Sequence, residues 1–171
     1  MQRPNLETVP PFYKNYVLNV KDYEMMHALK VSNEQALHVV RSISEANGEH
    51  RYQSGKWSIK ELICHLLDAV RLCLYRALRF ARNDKTEVHG FEENDSAPEA
   101  NAHARSIAQL ADEMQRLRNT TIDLFSSFTP TMLQRAGKAN RTELSVLNLG
   151  YIVAGHETHH RLILEQRHLA Q

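Results

Sequence analysis

Gly155-His156-Glu157-Thr158-His159-His160 stands within an apolar run that extends from Leu147-Asn148-Leu149-Gly150-Tyr151-Ile152-Val153-Ala154 to Leu162-Ile163-Leu164. At about 100° per residue, with His156 at zero, Leu149, Ile152, Val153, Ile163 and Leu164 fall between about −40° and +80°. His156 and His160, at about 0° and 40°, sit in the middle of that stripe, and His159, at about −60°, lies on its edge. Two imidazoles one helical turn apart can aim their nitrogens at one point, which is what a divalent ion takes from a helix. A lone histidine on an apolar face reads as a core residue bonded to a carbonyl. Burying two at this spacing without a shared partner would leave several polar atoms unsatisfied. The segment therefore reads as half of a metal site.

The same letters spell H-E-x-x-H, the helix of zinc metalloproteases in which Glu is the general base. The longer protease form would need Gly and His where Ile163 and Gln166 stand, and the sequence ends at Gln171. A third ligand is therefore expected upstream.

With 171 residues the chain is expected to form one domain, residues 1–171, long enough to bury a substantial core. Its 21 basic and 20 acidic side chains leave a net charge of +1, which exerts no general pull on nucleic acid or anionic membrane. No signal-peptide core and no membrane-length apolar stretch is visible, so a cytoplasmic location is expected. Cys64 and Cys73, nine positions apart on one helix-like segment, lie too far apart along it to pair and read as buried thiols. A nucleophilic Cys64 beside His65 is the sharper alternative, but adjacent helical residues diverge by about 100°.

Residues 1–20 hold Pro4, Pro10, Pro11, Tyr13 and Tyr16 and predict an extended N-terminal arm. Nothing catalytic stands out in it. From about residue 22 to 44, Met26, Leu29, Ala36, Leu37, Val40 and Ile43 recur at helical spacing, with Asn47-Gly48 closing the segment; His27 and His38 have no partner at i+4. Ser58 and Glu61 form a capping box that opens a second helix, running to about residue 82 on Ile59, Leu62, Ile63, Leu66, Leu67, Val70, Leu74 and Leu78. His65 lies off the centre of that stripe. Asp68 reads as an ion-pair partner of Arg71 and Arg76, with orientation of an imidazole as the alternative.

Residues 83–104 are polar and turn-rich, the longest irregular connection. Phe91 reads as a staple of that loop to the core, with insertion into a pocket beneath it as the alternative. His89 and His103 are expected to be exposed. Ile107, Leu110, Met114, Leu117, Thr121, Leu124, Phe125 and Phe128 predict a third helix over residues 106–129, ended by Pro130. Residues 132–140 read as a connector, after which Ser145 caps the last helix, which frays near Leu169. No useful strand-period alternation is evident. Four long amphipathic helices predict an all-α four-helix bundle over residues 21–171, and such bundles build metal sites from side chains on facing helices.

The strings Gly55-Lys56-Trp57-Ser58-Ile59-Lys60-Glu61, His65-Leu66-Leu67-Asp68, Tyr75-Arg76-Ala77-Leu78-Arg79, Gly90-Phe91 and Tyr151 to His160, correctly ordered over nearly the whole chain, resemble the DinB superfamily, closest to its branch of metal-dependent hydrolases. The resemblance implies a four-helix bundle that binds one divalent transition metal, nickel or zinc, through His65, His156 and His160. His159 stays outside that set. Many relatives carry an acid just before the arginine corresponding to Arg71, where this chain has Val70. Glu157 is then the candidate catalytic proton acceptor, with Asp68 as the other carboxylate. Three neutral imidazoles leave a metal open positions for water and a small-molecule substrate. Metal-dependent hydrolysis is the first expectation. Transfer of a low-molecular-weight thiol, as in parts of the superfamily, is the alternative, and a non-catalytic stress-linked binding protein is a third. Relatives also suggest a homodimer.

Overall fold

A computed structural model describes residues 5–169, and in it prolines and serines set the helix starts. Pro10 is extended and Pro11 opens α1 (Pro11–Leu18), so the predicted extended arm instead contains a two-turn helix. A proline at the first helical position loses no hydrogen bond and brings a φ already suited to the helix, so these prolines start a helix rather than forbid one. Pro4 lies outside the described residues.

The first predicted amphipathic helix is α2 (Met25–Ser42), followed by a 3-10 turn at Glu45–Asn47. α3 (Ile59–Ala81) begins with the expected capping box: the Ser58 hydroxyl accepts from the Glu61 amide, and the Glu61 carboxylate accepts from the Ser58 amide. The long connection is not wholly irregular, since it carries α4 (Glu93–Glu99) and a 3-10 turn at Ala102–Ala104. α5 (Ile107–Ser126) opens on a second capping box, from Ser106 and Gln109, and α6 (Pro130–Gln134) follows it.

The predicted connector then proves to be a small hairpin. β1 (Ala136–Ala139) pairs antiparallel with β2 (Thr142–Ser145), Ala139 opposite Thr142. Its turn residues Asn140 and Arg141 have φ of 48° and 61°, the left-handed pair that suits a two-residue hairpin. Strands of four residues are too short to show a convincing alternation, which is why the sequence reads as a connector there. Ser145 then caps α7 (Val146–Ile163) as expected, accepting from the Asn148 amide at 3.0 Å.

α2, α3, α5 and α7 form the bundle. α2 and α3 each pack against both α5 and α7, and α1 lies along α7. That last approach depends on Gly155, where a Cβ would overlap the Tyr16 carbonyl oxygen.

The core falls into two apolar clusters. One gathers Met25, Leu29, Phe80, Phe125 and Tyr151, and the other Leu37, Ile63, Leu67, Leu110 and Leu164. Along α2, α5 and α7 a buried polar residue stands between the two: Ser32 and Asn33, Arg118, and Glu157. Among the described residues no helix is long and apolar enough to cross a membrane.

Candidate metal centre

His65 on α3 and the pair His156 and His160 on α7 come together where these two helices pack. The Nε2 atom of His156 lies 3.2 Å from that of His65 and 3.0 Å from that of His160. One nitrogen from each ring lies within 4.8 Å of the other two. Metal–nitrogen bonds of about 2.0–2.1 Å at tetrahedral angles would separate such nitrogens by about 3.3–3.4 Å. The two observed spacings are slightly shorter than that.

The protonation states agree. Burial, then the neighbouring His65 and His159 rings, holds His156 down to about 3. Burial likewise pushes His160 well below its ordinary value. Burial also lowers His65, against the opposing pull of Glu93 and Asp68. All three rings are therefore neutral near pH 7, with lone pairs to offer. The buried Nδ1 of His160 has no hydrogen-bond partner among the described residues, so the ring's polar contact is made by its Nε2. Three convergent neutral imidazoles fit a divalent transition ion.

Aromatic rings brace the cluster. Trp57 lies 4.7 Å from the His65 ring, and Tyr16 stands edge-on to His156 at 5.1 Å. Together with Phe91 they wall a cavity of about 350 Å³, which the three histidines also line. The cavity reaches the surface at Phe12, which is 71% exposed.

Other candidates go elsewhere. His159 lines the cavity and touches Tyr16 and His160 but lies outside the convergent trio. His27, His38, His89 and His103 are exposed.

Glu157 is buried away from the cavity. Ser32 donates to it at 2.7 Å, Asn33 at 3.1 Å and Arg118 at 2.6 Å. Both carboxylate oxygens of Glu157, the expected proton acceptor, are engaged in the polar layer of the bundle. One helical step turns Glu157 about 100° from His156, toward α2 and α5.

Asp68 accepts from Arg71 at 3.3 Å, the expected ion pair, whereas Arg76 does not join it. Cys64 faces Arg105 at 3.6 Å and is absent from the cavity wall, which Cys73 lines instead.

Sequence reasoning missed most of the wall. Phe12, Tyr13 and Tyr16 come from a segment with no catalytic signature, and Phe91, read as a loop staple, lines the cavity. Only the aromatic content of residues 12–16 and the Trp57 that precedes the capping box gave a signal.

Residues 28–164 match the family described as the DinB superfamily. Among solved structures the fold is similar to YfiT from Bacillus subtilis, described as a probable metal-dependent hydrolase with an unusual four-helix bundle topology. The likeness has a TM-score of 0.77 at 13% identity and covers 96% of this chain and 90% of that one. No curated protein matches the sequence.

Proposed function

The chain belongs to the DinB superfamily, and from that premise we propose that it is a metal-dependent hydrolase of a small molecule, with His65, His156 and His160 holding one divalent ion. The observation that carries this reading is the convergence of three neutral imidazoles on the wall of a cavity large enough for a small substrate. Such an ion supplies Lewis acidity, polarising a substrate oxygen and acidifying water.

The remaining steps fall to the chain. His65 is held by its ring contact with Trp57, and His156 by Tyr16. These rings, with Phe91, line the cavity beside the histidines. His159 lines the same wall and burial lowers its basicity, so it is neutral near pH 7 and serves as the proton acceptor in place of Glu157. Glu157, paired with Arg118, fixes α7 against α2 and α5 and so keeps the His156–His160 turn in register.

The test is turnover by metal-loaded protein on panels of esters, amides and phosphoesters. Hydrolysis that disappears in His156→Ala supports the reading. Absence of hydrolysis together with accelerated conjugation of a low-molecular-weight thiol to an electrophile would replace it with thiol transfer. Absence of both would favour a binding protein.

A further inference from the structure

We propose that Arg76 recognises a carboxylate on the substrate, inside the cavity that the histidines line and three turns of α3 away from His65. The inference rests on the reading of that cavity as the substrate site and specifies the kind of molecule it takes.

His65, Ala69, Cys73 and Arg76 all line the cavity. Their spacing of four, four and three residues keeps them on one face of α3. Eleven residues make about three turns and advance the axis by about 16 Å. Helical side chains lean toward the N-terminus, so the long Arg76 side chain leans back toward His65.

Arg76 is only 6% exposed, yet it has no ion-pair partner among the described residues. Its Nη2 donates to the His89 carbonyl at 3.2 Å, the Tyr13 hydroxyl lies within reach, and its buried Nε has no hydrogen-bond partner among the described residues. The other buried arginine, Arg118, has Glu157. A desolvated guanidinium without an anion is costly, and its planar fork matches a carboxylate. The unpartnered donor and the cavity beside it together define a place for a ligand's anionic group.

Charge selects among anions. Glu92 and Glu93 line the same cavity, so a single guanidinium shares the wall with two carboxylates. A monoanionic carboxylate suits that balance better than a phosphate dianion, which both glutamates would repel more strongly.

Trp57 is the chain's one tryptophan and lies in the cavity wall, so its emission reports occupancy directly. The experiment titrates metal-free protein at pH 8 with phenylacetate, phenylacetamide and phenyl phosphate, for wild type, Arg76→Gln and Arg76→Lys. Phenylacetate is expected to bind about tenfold or more tightly than the other two, to weaken by about tenfold or more in Arg76→Gln, and to recover in part in Arg76→Lys. Equal binding of acid and amide by wild type overturns the proposal, as does an Arg76→Gln protein that binds phenylacetate unchanged. Preference for phenyl phosphate overturns the assignment to a carboxylate. Should Arg76→Gln fail to fold, the wild-type preference for acid over amide and the Arg76→Lys titration decide. Metal uptake is measured separately on the same protein. Lost carboxylate selectivity with intact uptake then refutes this subsite alone, and Arg76-dependent binding without uptake refutes the metal reading alone.

Discussion

The Nε2 atoms of His65 and His156 lie 3.2 Å apart, although 91 positions separate the two residues in sequence. The packing of α3 on α7 closes that distance, and it makes the candidate site a product of the bundle rather than of any one segment.

Replacing His156 or His160 by Ala should weaken metal binding by more than the roughly 10–100-fold that loss of an outer partner costs. His159→Ala should leave affinity within a few-fold of wild type while lowering turnover by about 10²–10⁴, the range of general-base catalysis. Calorimetric titration of the metal-free proteins, paired with turnover of the loaded ones, separates these effects. Equal loss of metal in His159→Ala would mean that the trio is wrongly drawn.

Glu157→Gln should behave as a stability variant. Removing one charge from the buried pair with Arg118 leaves the other uncompensated, a loss of about 3–5 kcal/mol. Urea unfolding should show it, and activity per folded molecule should change little. A stable Glu157→Gln protein without turnover would restore Glu157 to a catalytic role.

Acid should destabilise the metal-free protein through the same histidines. They are neutral in the fold, with His156 held down to about 3, whereas in the unfolded chain they take up protons near the ordinary value of 6.5. The unfolded state thus binds more protons as pH drops below about 6.5, and stability falls from there toward about 3. Urea midpoints measured across that window should decline for wild type, and less steeply for the His156→Ala/His160→Ala double variant. Parallel declines would show that these histidines are not held neutral.

Gly155→Ala should separate α1 from α7. Its Cβ would overlap the backbone of Tyr16, so α1 must move, at about 1–3 kcal/mol for overpacking. Because α1 carries Tyr13 and Tyr16 into the cavity wall, Trp57 emission and substrate KM should change together with the melting temperature. A variant with wild-type stability and emission would show that the contact is not tight.

The helices and the pair on α7 were legible in sequence because caps and apolar period are local signals. Ser58, Ser145 and the His156–His160 turn needed no knowledge of the rest of the chain. His65 was not legible from periodicity: it lies off the centre of the α3 apolar stripe, and only the family resemblance singled it out. The cavity wall was hidden for a further reason. Tyr16, Trp57, Arg76 and Phe91 belong to four separate segments, and nothing in the spacing within any one of them records that they meet. Glu157 stands beside His156 in sequence, yet one helical step turns it into the polar layer of the core, a placement its spacing alone does not record.

The most direct test of the three-histidine centre is elemental analysis of wild type and His65→Ala, each purified without a chelating tag. About one equivalent of a transition metal per chain in wild type, lost in His65→Ala although that variant keeps the α7 pair, is the result expected of a site built across α3 and α7. Absence of metal in wild type, with none taken up on addition, or equal metal in both proteins, would contradict it.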